Sequence, residues 1–340
     1  MARIVYGAGT SHTPLLTIGP DQWFERAKAD YANPALALSD GQTLTYEALL
    51  AQVGERYAEE LAIDALEAKA EACNAALDRL ADDLEAARPD VVVIVGDDQK
   101  ELFGADNLPV ISVFFGETMV MLSKGDDANP AWRQTSLRNY AMDALHAFPG
   151  HPGLALDIIG GLIDRDVDVG SSARVSNPAS AGFGHAYGFI IKRLFKGRTI
   201  PVVPILLNTY FPPNVPSAAR CFDIGRHLSA AIGEAAGDLR VAVIASGGLS
   251  HFVVETELDA LVLDSIERND AERLRAIPRV ALRSGSSEIL NWILVAGALH
   301  GTGVRWRDYV PLLPHARRNR RRRRLPVLGL LTADAIHAHH

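Results

Sequence analysis

Five short runs of apolar, largely β-branched residues punctuate the chain: Ile4–Tyr6, Val91–Val95, Val110–Phe115, Ile200–Leu207 and Val241–Ala245. Each ends at a Gly, Asn or Ser. Runs of this length without polar alternation suit strands buried on both faces, the condition of a parallel sheet covered by helices on either side. Stretches of helical period lie between them. Tyr46–Arg88 is rich in Ala, Leu and Glu and reads as one long or two consecutive helices, stopped by Pro89 before the next strand. Pro152–Arg165, Ala218–Ala236, Glu257–Ala276 and Ser287–Leu299 read as further helices. Strands alternating with helices predict a three-layer α/β domain with a largely parallel central sheet. Residues 17–45, with Pro20, Pro34 and Gly41, read as an irregular excursion over that core. No Gly/Ser-rich linker divides the chain, so residues 1–311 are expected to form one domain.

Composition narrows the class. Of the 340 residues, 48% are hydrophobic and 22% charged, the balance of a chain that packs a core. The formal charge of −7 argues against nucleic-acid or membrane-surface partners. Two cysteines, Cys73 and Cys221, are too few for a disulfide framework or a thiolate zinc site. No apolar run approaches the ~20 residues of a membrane span. The first residues lead directly into a strand with no charged-then-apolar leader, so the expected location is the cytoplasm. One local feature stands out. Residues 317–324 read RRNRRRRR, and removing these seven arginines would take the formal charge from −7 to −14.

Chemistry is expected where the runs end. Four polar segments follow directly on predicted strands: Gly9-Thr-Ser-His12-Thr-Pro14, Gly96-Asp-Asp-Gln99-Lys-Glu-Leu-Phe103, Asn208-Thr-Tyr-Phe-Pro-Pro213 and Ser246-Gly-Gly-Leu-Ser-His251. Open α/β sheets place their ligand crevice at the carboxyl ends of the strands, so these segments are expected to converge on a polar, metal-capable pocket. Alone, each residue has a plainer reading. His12 could bond to backbone, Asp97 and Asp98 could cap the turn that follows, Gln99 could be an ordinary loop residue, and Asn208 could end its strand. Glu288 near a helix start fits the helix dipole. His185 could sit in a packed turn, and Trp292 reads as core. Gly7-Ala-Gly9 lacks the third glycine of a dinucleotide fingerprint, no phosphate-cradling loop is present, and Gly247-Gly-Leu-Ser250 lacks the spacing of a nucleophile elbow.

Together these segments resemble a known family, the class III extradiol ring-cleavage dioxygenases, typified by the catalytic subunit of protocatechuate 4,5-dioxygenase and by gallate and 3-O-methylgallate dioxygenases. The resemblance rests on the early strand ending in Ser11-His12, the Asp98-Gln99-Lys-Glu-Leu-Phe103 segment, GHAYGF around His185, GGLSH ending at His251, and SEILNWILVAGAL around Glu288. It runs from residue 1 to about residue 311. It implies an Fe(II) cofactor on two histidines and a glutamate, a small aromatic diol or triol as substrate, and O2 as co-substrate. A homodimer, or a small α-type subunit covering the site, are the protein partners it brings into view. Carried over residue by residue, His12 and Glu288 are metal ligands, His251 is the acid/base histidine and His185 stands near the substrate; Asn208, outside that carry-over, is the candidate substrate contact at its strand end.

The second histidine ligand of the family falls on Gln99. Three outcomes stay open at this point: Gln99 ligates through its carbonyl, Asp98 or Glu101 takes its place, or metal affinity is low. The corresponding rivals to an oxygenase are a metal-poor aromatic-binding or regulatory protein on the same fold, and a metal-dependent hydrolase. The end of the chain departs as well. After Tyr309-Val-Pro311 the family continues with a segment like CYRTPAGTG, whereas here LLPHARRNRRRRRLPVLG follows. These residues can be encoded by codons that, read one nucleotide over, give CYRTPAGTGVGVAFPCW. Residues 312–340 are therefore expected to be a frameshifted, poorly packed tail, and the arginine block within it not to bind nucleic acid.

Overall fold

The computed structural model describes residues 1–31, 33–53, 62–310 and 325–330, the last as backbone path only. Its sheet is built from β1 (Arg3–Thr10), β4 (Val91–Asp97), β5 (Ile111–Phe114), β8 (Gly170–Ser172), β9 (Val202–Leu207), β10 (Arg240–Ser246), β11 (Val304–Val310) and β12 (Leu325–Leu330). Two small two-stranded sheets, β2 (Leu36–Ala37) with β3 (Thr43–Leu44) and β6 (Thr118–Val120) with β7 (Ala147–Pro149), stand apart from it. The helices are α1 (Pro20–Tyr31), α2 (Tyr46–Val53), α3 (Ile63–Ala87), α4 (Ala131–Asn139), α5 (Pro152–Ile163), α6 (His185–Leu194), α7 (Ala218–Glu234), α8 (Thr256–Glu267), α9 (Ala271–Arg275) and α10 (Ile289–Ala298).

The strand order is β11-β12-β1-β10-β4-β9-β5-β8. The four central strands β1, β10, β4 and β9 are mutually parallel, and β5 joins β9 antiparallel. Alternation along each central strand divides the core in two. Val91, Val93 and Val95 pack with Val241, Val243 and Ala245 beneath α5, α7, α8 and α10. Val92 and Ile94 pack with Ala242 and Ile244 against α3, α4 and α6 on the other face. This is the expected three-layer arrangement, and the five apolar runs form five of the eight described strands of the sheet.

The helices depart from the sequence reading at α1, at α4 and α6, which that reading omits, and in the stretch 257–276. Pro20 opens α1 rather than interrupting it, because a first-turn proline lacks only an N–H that the helix leaves unpaired anyway. The stretch 257–276 forms two helices, α8 and α9, separated at Asn269, whose φ of 53° is left-handed. The Tyr46–Arg88 stretch contains α2 and α3, with residues 54–61 outside the described set. Of the expected tail, Leu325–Leu330 form β12, hydrogen-bonded antiparallel to both β1 and β11. The arginine block and the remainder of 311–340 lie outside the described residues.

Glycines set how closely α10 approaches its neighbours. A Cβ at Gly7 would meet the Leu299 side chain, and one at Gly9 would meet the Trp292 ring. Gly7-Ala-Gly9 is thus a seat for α10 on β1 and not a cofactor loop. On the far side, a Cβ at Gly225 in α7 would meet the carbonyl oxygen of Leu294 in α10. Gly225→Ala is therefore expected to destabilise the protein by about 1–3 kcal/mol. Urea denaturation measures it, and a loss below about 0.5 kcal/mol would show that the two helices have room to part.

Candidate active site

The carboxyl ends of β1, β10, β4 and β9 open on one edge of the sheet, and a cavity of about 420 Å³ lies there. His12 enters two residues after β1. Asp97 is the last residue of β4, with Gln99 two residues on. Ser246 ends β10, and the Gly247-Gly248 turn after it delivers His251. Glu288 closes a short 3₁₀ segment (Ser284–Glu288) that runs directly into α10. His12, Asp97 and Glu288 are almost completely buried, at 3%, 1% and 2% exposure.

The GGLSH and E-x-x-x-W elements prove to be one device. Trp292 lies one helical turn beyond Glu288, so both side chains point the same way. The Trp292 indole N–H donates to the Gly247 carbonyl at 2.8 Å. The Gly248 N–H donates to Glu288 Oε2 at 2.6 Å. Between them they fix the turn that carries His251. On the other carboxylate oxygen, Tyr210 donates its hydroxyl to Glu288 Oε1 at 2.6 Å, and His251 Nε2 lies 3.2 Å away. Burial alone would raise the Glu288 pKa, but His251 and His12 hold it well below the usual carboxylate range. Burial and the charge of Glu288 push the Tyr210 phenol well above its ordinary value, so it remains a donor.

The orientation of the His12 ring follows from its partners. Ser246 spends its one hydroxyl hydrogen on the Ala186 carbonyl at 2.6 Å. Its oxygen can therefore only accept from His12 Nδ1, 3.0 Å away. This turns Nε2 toward Glu288 Oε2, 3.4 Å away. A ligand histidine oriented by its other nitrogen is the usual arrangement at a metal. Asp97 completes the group. Potential ligating atoms of His12, Asp97 and Glu288 all lie within 4.8 Å of one another. Burial, then the nearby charge of Glu288, push the Asp97 carboxyl up to about 6. An imidazole nitrogen and two carboxylates at this spacing suit a divalent cation.

Each residue singled out in the sequence has a definite place. Gln99 lines the cavity, and its amide nitrogen lies 3.2 Å from Asp97 Oδ2 and 3.4 Å from Glu288 Oε1. Asp98 does cap the turn, accepting from the N–H groups of Leu102 and Phe103. Glu101 binds elsewhere: it accepts from the Gln99 N–H at 2.6 Å and from Lys124 Nζ at 3.0 Å, and lies 3.4 Å from His185 Nδ1. Burial opposes its charge, yet His185 and Lys124 lower its pKa to about 2. His185 opens α6 and stacks edge-on against His12, with ring centroids 4.5 Å apart. Burial lowers its pKa, but Glu101 outweighs that and raises it. His251 holds its Nδ1 proton against the Leu249 carbonyl at 2.8 Å.

Asn208 is not among the residues lining the cavity. Its amide donates to the Phe211 carbonyl and Asn214 Oδ1, and its oxygen accepts from the Phe211 N–H. It shapes the loop that carries Tyr210 to the site. Sequence reasoning missed Tyr210 and the inward role of Asp97. The signal for Asp97 was its position as the last residue of a fully buried strand.

The family model described as the catalytic LigB subunit of aromatic ring-opening dioxygenase matches residues 61–310. The chain belongs to that family. It is similar to a gallate dioxygenase of Pseudomonas putida, 32% identical over 111 residues, covering 29% of this chain and 32% of that protein. It is also similar to a 2,3-dihydroxyphenylpropionate/2,3-dihydroxicinnamic acid 1,2-dioxygenase of Comamonas testosteroni, 28% identical over 163 residues, covering 48% of this chain and 43% of that protein. The matches thus span less than half the length of either relative. Among the described residues, no helix is long and apolar enough to cross a membrane.

The hydroxyl of Tyr210 orients Glu288 from outside the donor group. Tyr210→Phe is expected to weaken divalent-metal binding about tenfold, with the melting temperature unchanged. Calorimetric titration of the metal-free protein measures it, and an unaltered affinity would show that the hydroxyl does not orient the carboxylate.

Proposed function

We propose that the chain is a non-haem Fe(II)-dependent extradiol dioxygenase that opens a small catechol- or gallate-type ring bearing a carboxylate, with incorporation of O2. The observation that carries this reading is the meeting of His12, Glu288 and His251 on one cavity in a chain of the ring-opening dioxygenase family. The names of both relatives, dioxygenases of gallate and of a dihydroxyphenylpropionate, point to the same substrate class. Iron held by His12, Glu288 and a third donor from the segment 97–99 would supply the redox and Lewis-acid chemistry of the site.

The protein groups divide the remaining work. His251 lines the cavity with its Nδ1 proton anchored on a carbonyl and its Nε2 beside Glu288 Oε1, so its free movement is small. It removes a phenolic proton at Nε2 and returns it as the ring opens. His185, anchored by Glu101, presents its other edge to the cavity and donates to an anionic oxygen. Leu15, Trp132, Leu137 and Phe252 provide apolar wall for an aromatic ring, and Arg26, Lys124 and Arg133 line the same cavity with positive charge. Ring, diol and carboxylate thereby each have a matching surface.

Anaerobic iron loading followed by oxygen uptake with gallate, 3-O-methylgallate and protocatechuate tests the reading. Consumption of oxygen with a ring-opened product is expected with at least one. Tight aromatic binding without oxygen uptake would favour a binding protein instead. His251→Asn is expected to lower kcat by about 10²–10⁴-fold while substrate still binds; turnover within threefold of the parent would remove His251 from the chemistry.

Charge recognition makes a separate prediction. Arg133→Ala is expected to raise KM about tenfold for a carboxylated substrate, the loss of one partly exposed charge-assisted contact, and to leave an uncharged catechol unaffected. Steady-state kinetics on the matched pair distinguish this from general damage, which would raise both.

A further inference from the structure

We propose that Asp97, and not Gln99, is the third protein ligand of the metal centre, so that the ion is held by one imidazole and two carboxylates, with Gln99 as a positioning residue between the two carboxylates. The inference rests on the metal-dependent reading above and specifies which of this chain's residues build the centre.

Three observations carry it. First, His12, Asp97 and Glu288 place ligating atoms within 4.8 Å of one another, as donors around one ion must be. Second, Ser246 engages His12 Nδ1 and so turns the buried Nε2 to the same point as a carboxylate oxygen of Glu288, 3.4 Å away. Third, the Gln99 amide turns its nitrogen toward Asp97 Oδ2 and Glu288 Oε1. Both are acceptors, so the NH₂ end belongs there, and its two hydrogens match two oxygens. A side chain engaged in this way braces the carboxylates.

The backbone explains why position 97 can do this. Asp97 is the last residue of β4 in register with Leu207 of β9, and Asn291 of α10 lies 3.4 Å from its Oδ1. It is therefore held by the sheet itself. Gln99 follows in the turn, half-buried, with its N–H tied to Glu101. Two carboxylates and a neutral imidazole also balance the charge of a divalent ion in full. They form a harder donor set than two imidazoles and one carboxylate, favouring Mn(II) and Fe(II) over softer ions.

The test is Mn(II) binding to the metal-stripped full-length protein, followed by loss of the free-ion electron paramagnetic resonance signal. It requires no turnover, so failure of this assignment and failure of the oxygenase reading are separate results. One Mn(II) per chain is expected for the parent. Asp97→Asn, nearly isosteric, should weaken binding at least 100-fold, and Gln99→Ala no more than about tenfold. A Gln99→Ala loss as large as that of Asp97→Asn, or near-parental binding by Asp97→Asn, overturns the assignment. Should Asp97→Asn fail to fold, a crystal structure of the Mn(II)-loaded parent decides. An Asp97 oxygen bonded to the ion upholds the proposal, and the Gln99 carbonyl bonded in its place refutes it.

Discussion

Glu288 carries its carboxylate into a site where only 2% of the residue remains exposed, and an isolated charge there would be prohibitively costly. Its surroundings answer that cost from four directions. A backbone N–H after β10, a phenol from the loop after β9, the His12 ring after β1 and the His251 ring all meet its two oxygens. Three segments remote in sequence thus converge on one anion. Substituting it would leave several inward-facing donors without a partner, and removal of one member of such a buried network generally costs more than the pair contributes.

The sheet makes that convergence possible. In a parallel arrangement every strand ends on the same edge, so His12, Asp97, Asn208 and Ser246 are neighbours in space although 234 positions separate His12 from Ser246. Residues on the buried strands cannot be polar without a partner, which makes the last strand position the first at which chemistry can begin. Thr10, Asp97 and Ser246 occupy such positions, each at 1% exposure or less, and each is tied into the network or its immediate support.

This explains what could be read from the chain and what could not. The β-branched runs identified the strands, and the polar segments after them located His12, Gln99 and His251, because strand burial and strand-end chemistry follow from local composition. Glu288 needed the family resemblance, since a glutamate at a helix start has an ordinary electrostatic explanation. Tyr210 was invisible. Its phenol reaches Glu288 through the shape of the 208–214 loop, which Asn208 and Asn214 set by hydrogen bonds that no periodicity encodes. α1 was missed because proline was read as a break, when at a first turn it is compatible with helix. α6 was missed because its apolar face is nearly continuous, as in a helix packed under a sheet.

The segment Asp97-Asp-Gln-Lys-Glu101 shows how little sequence separates different physical roles. Asp97 still belongs to β4 and faces the buried edge beneath α10. Asp98, one residue on, faces the opposite way and accepts two backbone N–H groups, so its charge serves the turn. Glu101 turns back toward the cavity wall, where Lys124 and His185 compensate it. The three carboxylates are therefore not a diffuse acidic cluster. Each has its own set of donors, and of the three only Asp97 joins His12 and Glu288 in a common group of ligating atoms. A glutamine beside it in the turn is consistent with that division. Once a strand-end aspartate supplies the third donor, position 99 no longer needs an imidazole, and an amide with two hydrogens is better suited to brace two carboxylates than a second ligand would be.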